Sequence, residues 1–256
     1  SSVKKGDNSY IYGAPYSYRR FGIGSLPINR NDFIVKGSLP DPEMQMALEM
    51  TKALHEKGVI IKNQPSSYRV IKDSLKNDYA NFKEIINHKG LPIKEVIEKT
   101  NLKSINLFAE QLLFLISKEE KGFGSTQSGI EVVEQCWENS IDFSGLNLTD
   151  GSGLSRSNAV SASHFCQLLS SIYNSEIFED FEKSLPVAGC TGTLSNVCKN
   201  QLGHGKIKAK SGTLNRVKAY TGYVDSKSGK KIAFALIVNN YNCSSYQLVK
   251  YMENLF

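Results

Sequence analysis

Residues 206–238 leave the chain little freedom in what it can fold into. Lys206-Ile207-Lys208-Ala209-Lys210 alternates polar with apolar residues, the pattern of a strand with one exposed face. Ala219–Val224 reads as a second strand, and Asp225-Ser226-Lys227-Ser228-Gly229 supplies turn chemistry. Ile232–Val238 is then an unbroken apolar run, suited to a strand buried on both faces. It is far short of the roughly 20 residues that a membrane-crossing helix needs. Strands joined by such short connections pair antiparallel. The C-terminal third is therefore expected to be an antiparallel meander. A closing helix follows at about Ser245–Leu255, with Leu248, Val249, Met252 and Leu255 on its apolar side.

The middle of the chain has helical periodicity. Pro92 is a good first-turn residue, and Ile93, Val96 and Ile97 give the helix an apolar face. The period breaks after Thr100-Asn101 and restarts at Asn106, with Leu107, Phe108, Leu112, Leu115 and Ile116, so Ser104-Ile105-Asn106 falls at a joint between two helices. Further helices are expected near Gly129–Glu138 and Ser161–Tyr173, on either side of the glycine-bearing loop Asp150–Arg156. Toward the N-terminus, Tyr10-Ile11-Tyr12 and Asp32–Gly37 read as strands ending in turns. A helix is expected from Pro42 to Gly58 with Met46, Ala47, Met50 and Leu54 apolar, then a short strand at Val59-Ile60-Ile61. Together these predict an α+β fold, an antiparallel sheet flanked by helices.

Composition narrows the partners. A net charge of +6 comes from scattered lysines with no basic stripe among aromatics, which argues against nucleic acid. The four histidines and five cysteines show no metal-ligand spacing. The cysteines are expected to be isolated and mostly buried thiols, with a Cys190–Cys198 bridge as the one pairing to consider.

Two short motifs carry chemistry. S-x-N occurs once, as Ser104-Ile105-Asn106. By itself it is more often a pair of helix-capping side chains. K-[ST]-G occurs at Lys210-Ser211-Gly212 and at Lys227-Ser228-Gly229. The second copy sits in a hairpin tip, where Ser-Gly is ordinary turn chemistry. The first ends an alternating strand. There the lysine supplies charge for a carboxylate and the glycine lets a substrate backbone approach.

In this order the two motifs belong to the set found in β-lactamases and penicillin-binding proteins. The longer strings Asp150-Gly151-Ser152-Gly153-Leu154-Ser155-Arg156 and Lys208-Ala209-Lys210-Ser211-Gly212-Thr213-Leu214 resemble the low-molecular-mass class C penicillin-binding proteins, the S13 peptidase family. So do Tyr10-Ile11-Tyr12-Gly13-Ala14-Pro15-Tyr16 and Gly37-Ser38-Leu39-Pro40-Asp41-Pro42. The resemblance implies a β-lactamase/transpeptidase-like fold, incomplete here. Residues 85–256 would be the C-terminal portion of the catalytic domain, and residues 1–84 the tail of an inserted accessory domain. It implies a serine D-Ala-D-Ala carboxypeptidase or endopeptidase of the bacterial cell envelope, periplasmic or extracytoplasmic. The partners are then peptidoglycan stem peptides and β-lactam antibiotics, and no cofactor or metal is implied.

By the same resemblance Ser104 relays a proton, Asn106 holds the substrate's peptide carbonyl, and Lys210 offers charge to the terminal carboxylate. Ser211 and Thr213 offer hydroxyls, Gly212 gives access, and the Thr213 N–H serves as an oxyanion donor. Asp150, Gly151, Ser152 and Gly153 form a supporting loop. The family's nucleophile stands in an S-x-x-K motif opening a helix. Here S-x-x-K matches only at Ser1/Lys4, Ser2/Lys5 and Ser228/Lys231, none of which opens an amphipathic helix. The chain is thus expected to be the later part of a longer protein and to need its N-terminal portion. The rival readings are a non-catalytic peptidoglycan-binding or scaffold protein of the same fold, and a β-lactamase or esterase.

Overall fold

The computed structural model describes residues 2–3, 9–72 and 83–256, with side chains from residue 9 onward. The chain divides into two compact units, Ser1–Asn87 and His88–Phe256.

In the first unit, β1 (Ser2–Val3) pairs parallel with β4 (Leu26–Pro27), and β2 (Tyr10–Tyr12) pairs antiparallel with β3 (Phe21–Ile23). Two helices follow, α1 (Pro42–Glu56) and α2 (Tyr68–Ile71). Asp41 starts α1 by accepting from the Met44 amide at 3.0 Å, and its other oxygen takes the Arg69 guanidinium at 2.8 Å. Two strand expectations fail here. Asp32–Gly37 forms no ladder, and Phe21–Ile23 takes the pairing instead, with the Tyr12 and Phe21 rings 5.6 Å apart. Val59–Ile61 is not a strand because its first amide closes α1. With Gly58 in the left-handed region, the Val59 N–H reaches back to the Leu54 carbonyl at 3.0 Å. No residue of α1 is buried, and Met46 and Met50 of its expected apolar side are exposed.

The second unit contains α3 (Ile93–Lys103), α4 (Asn106–Lys121), α5 (Thr126–Trp137), α6 (Ala162–Tyr173) and α7 (Phe178–Ser184). The meander β5 (Ile207–Leu214), β6 (Val217–Asp225), β7 (Lys231–Asn239) and the terminal helix α8 (Ser245–Glu253) complete it. The sheet order is β5-β6-β7, all antiparallel. Strand alternation sorts the side chains onto two faces. Ile207, Ala209 and Tyr220 pack with Leu248 and Met252 of α8. Tyr223 points the other way, against Leu169 of α6 and Leu185, and its hydroxyl donates to the Leu169 carbonyl at 2.7 Å. Helices α6 and α8 both begin with a capping box, Ser161/His164 and Ser244/Gln247.

β7 departs from its expected burial. It lies at the end of the three-stranded order, so its residues are half-buried and Ile232 is 49% exposed. The cysteines depart as well. All five are free thiols, only Cys198 is buried, and Cys190 and Cys136 are exposed, so no Cys190–Cys198 bridge exists. Cys198 instead lies in the α8-side core.

α7 has no strong sequence signature, yet it is tied to the sheet by charge. Glu182 ion-pairs with Lys208 of β5 at 3.0 Å and with Lys231 of β7, which also meets Asp225. Burial pushes the Glu182 carboxyl up, but the ammoniums of Lys231 and Lys208 outweigh it and hold the carboxyl below its ordinary value. A depressed carboxylate contributes stability above its unfolded value and loses it as pH falls through the folded one. Glu182→Gln is therefore expected to lower stability by about 1–3 kcal/mol at neutral pH. The deficit should shrink on acidification below about pH 4.5, the unfolded value. Urea melts of both proteins at pH 7 and pH 3 check this, and an equal deficit at both pH values would refute it.

Candidate active site

The link between the two motifs is a single hydrogen bond. Lys210 Nζ donates to Ser104 Oγ at 2.8 Å across 106 positions of sequence, and to its neighbour Ser211's carbonyl at 2.7 Å. Ser104 terminates α3 in the left-handed conformation, φ 53° and ψ 53°, and α4 starts two residues later. A non-glycine residue there costs about 1–2 kcal/mol. The Ser104 hydroxyl accepts from Lys210. Neither motif residue caps through its side chain: Ile105 occupies the N-cap of α4 and no side-chain cap bond forms. The capping explanation of S-x-N therefore does not hold.

Lys210 is half-buried and forms no ion pair among the described residues. Burial first, and the nearby charge of Lys218 second, lower its pKa below the ordinary lysine value. A lysine so placed gives up its proton more readily than a solvated one, and holds the Ser104 hydroxyl as a hydrogen-bond acceptor meanwhile. Asn106 is the first residue of α4, exposed, and its side chain has no hydrogen-bond partner among the described residues. Ser211 Oγ donates to Thr193 Oγ1 at 2.8 Å, and Thr213 Oγ1 accepts from Lys218 Nζ at 2.8 Å. A Cβ added at Gly212 would meet only the Ala219 Cβ, at 3.7 Å. The protein's own packing thus leaves the space over Gly212 open.

The second K-S-G sits in the β6–β7 turn, with Lys227 exposed and Ser228 Oγ bonded to Ser226 Oγ at 3.0 Å. Lys231 faces Glu182 and Asp225 rather than Ser228, so this S-x-x-K match has no serine–lysine contact. In the matches Ser1/Lys4 and Ser2/Lys5, Ser1 and both lysines lie outside the described residues. A cavity of about 360 Å³ between α3 and α4, lined by Ile93, Val96, Phe108 and Leu112, is apolar and contains none of the motif residues.

The loop after α5 is organised by two carboxylates. Asp150 accepts from the amides of Gly153 at 2.8 Å and Ser155 at 2.7 Å, from the Asn158 side chain at 2.8 Å, and from the Ser152 hydroxyl. Burial raises its pKa, but the bonds from Asn158, Ser155 and Gly153 prevail and hold it low. Glu110, one turn after Asn106 on α4, accepts from the amides of Gly151 and Ser152 at 3.2 and 3.0 Å. Gly151 is required by that approach, since a Cβ would lie 2.8 Å from the Ala109 carbonyl. The loop is thereby fastened to the helix that opens with Asn106. Glu110, Thr193 and Lys218 were not singled out from the sequence. The i, i+4 spacing of Asn106 and Glu110 was a usable signal. Lys218 follows from the register once the 215–216 turn is placed, and Thr193 has no local signal. Asp150→Ala is expected to cost about 2 kcal/mol or more by orphaning several donors at once. Hydrogen exchange should speed up at Gly153 and Ser155 while the β5–β6 amides stay protected. Unchanged loop protection would refute the assignment.

Residues 6–254 match the D-Ala-D-Ala carboxypeptidase 3 (S13) family. The D-alanyl-D-alanine carboxypeptidase of Actinomadura sp. (strain R39) is 29% identical over 92% of this chain and 46% of its own length. The penicillin-sensitive carboxypeptidase A of Dictyostelium discoideum is 28% identical over 91% of this chain and 45% of its own. Among solved structures, penicillin binding protein 4 of Haemophilus influenzae, complexed with a β-lactam, superposes with a TM-score of 0.75 at 22% identity. That match covers 98% of this chain and 58% of that one. The chain spans about half the length of the curated relatives it matches. A match over nearly every residue, with an α+β fold shared with penicillin binding protein 4, leaves one assignment: the chain belongs to the D-Ala-D-Ala carboxypeptidase 3 (S13) family.

Proposed function

We propose that this chain supplies part of the catalytic domain of a serine D-Ala-D-Ala carboxypeptidase or endopeptidase. The enzyme acts on peptidoglycan stem peptides in the bacterial envelope and is acylated by penicillins. The observation that carries the proposal is the 2.8 Å bond from Lys210 Nζ to Ser104 Oγ. A hydroxyl at a helix joint, held by an ammonium on a strand, is placed to relay a proton. Ser104 can hand its hydroxyl proton to a leaving amine and recover one from the lysine of the S-x-x-K segment, while Lys210 stays an ammonium and offers charge to the substrate's terminal carboxylate. Asn106 is free to hold the substrate's peptide carbonyl, Ser211 and Thr213 present hydroxyls, and the open space over Gly212 admits a peptide backbone. The Thr213 N–H is assigned as one oxyanion donor, a group typically worth a hundredfold or more in rate.

The nucleophilic serine is assigned to an S-x-x-K segment outside the 256 residues, since Ser228/Lys231 is committed to a turn and an ion-pair network. Residues 1–84 are assigned to an inserted accessory domain and residues 85–256 to the catalytic domain. A second reading, a non-catalytic peptidoglycan-binding protein, is favoured only by the lack, among the described residues, of an S-x-x-K that opens a helix.

Intact-mass spectrometry after incubation with benzylpenicillin separates the readings. The 256-residue chain alone should gain no penicilloyl group, whereas the protein joined to its S-x-x-K segment should gain one. In that joined protein Ser104→Ala and Lys210→Met should each slow acylation by about a hundredfold or more. An adduct on any serine between 1 and 256 would place the nucleophile inside the chain. Failure of the joined protein to label would leave the non-catalytic reading.

A further inference from the structure

Lys218 is a second cation beside the motif strand, and the proton relay does not use it. It lies on β6 directly opposite Thr213 of β5. It is half-buried, with its ammonium 5.3 Å from the centre of the Tyr220 ring and 2.8 Å from Thr213 Oγ1. No carboxylate pairs with it among the described residues, and none pairs with Lys210. The other two half-buried lysines of this sheet, Lys208 and Lys231, share the carboxylate of Glu182. Half-burying a cation without a counter-charge costs free energy, and so does setting it close enough to Lys210 to depress that lysine's pKa. An arriving anion would relieve both costs.

The hydrogen-bond direction suits an anion as well. Because Lys218 donates to Thr213 Oγ1, the threonine's own O–H proton stays available to donate elsewhere. Thr213 is exposed, next to the open space over Gly212.

We propose that Lys218 is a specificity-determining residue that, acting directly and through Thr213, binds the terminal carboxylate of the acyl-D-Ala-D-Ala substrate and excludes uncharged C-termini. The assignment rests on the carboxypeptidase reading above for the identity of the anion.

The test uses the joined protein and two probes, N-acetyl-D-Ala-D-Ala and its C-terminal amide, titrated by NMR into wild type, Lys218→Gln and Lys218→Arg. Wild type should prefer the carboxylate. Lys218→Gln should lose about tenfold of that preference, as expected for one charge-assisted hydrogen bond, with amide binding unchanged. Lys218→Arg should retain most of it. An unchanged preference in Lys218→Gln overturns the proposal, as does equal weakening of both probes, which would mark a merely structural lysine. Penicillin acylation of wild type, run in parallel, reports on the carboxypeptidase reading alone. If acylation fails while the carboxylate preference depends on Lys218, the enzyme reading falls and the anion site stands.

Discussion

The arrangement of the second unit depends on the burial of two side chains of β5. Ile207 is 1% exposed and Ala209 0%, both held in the α8-side core. A strand alternates sides with a period of two, so a one-residue slip would exchange its two faces. Burying Ile207 and Ala209 therefore forces Lys208 and Lys210 to the opposite face. There Lys208 meets Glu182 of α7 and Lys210 meets Ser104 between α3 and α4. The core ends before Ser211 and Thr213, so these residues share the parity of Ile207 and Ala209 but remain accessible. One hydrophobic constraint thus sets the position of every polar group on the motif strand.

Charge in this region follows the same division. The sheet carries four half-buried lysines, Lys208, Lys210, Lys218 and Lys231. Two of them are paired with carboxylates, both with Glu182, which anchors a helix, and Lys231 with Asp225 as well, which is a structural use of charge. The other two have only hydroxyls and a carbonyl as hydrogen-bond partners. Low solvent exposure makes each arrangement stronger than it would be in water, in opposite senses. The Glu182 pairs hold the fold, and the open pair leaves the site electrostatically unfinished.

Where the sequence was legible, the reason was periodicity over enough residues. The β5–β6–β7 meander, α8, and the break between α3 and α4 were all readable because alternation, an unbroken apolar run or helical spacing persists beyond a single turn or pair. Of the two three-residue strands Tyr10–Tyr12 was readable and its partner Phe21–Ile23 was not, since Asp32–Gly37 is equally plausible over so short a span and pairing alone decides between them. Val59–Ile61 has strand composition, but its first amide was already claimed by the helix before it. Helix α7 and Glu182 escaped notice because their role depends on residues far away in sequence. In the candidate site, Ser104, Asn106 and the Lys210 strand were legible as motifs. Glu110 had a usable signal in its i, i+4 spacing from Asn106, whereas Thr193 acts through a tertiary contact that no local spacing declares. The cysteines, expected mostly inside, divide instead: Cys198 is buried, Cys243 packs partly buried against the same core, Cys166 is half-buried, and Cys136 and Cys190 are exposed.

Ser104 bends the chain between two helices in a conformation that glycine would hold with less strain. The joint itself asks only for a left-handed residue, and the geometry of α3 and α4 would survive the loss of the hydroxyl. A random drift under selection for folding alone would therefore favour glycine or asparagine at this position, gaining about 1 kcal/mol. Serine at 104 is mutationally unstable in that sense. A lineage that ceased to use the hydroxyl would erode it here early, while Ile207 and Ala209 persisted. The identity of residue 104 is thus a sensitive indicator of whether a descendant of this chain still performs chemistry or has kept only its shape.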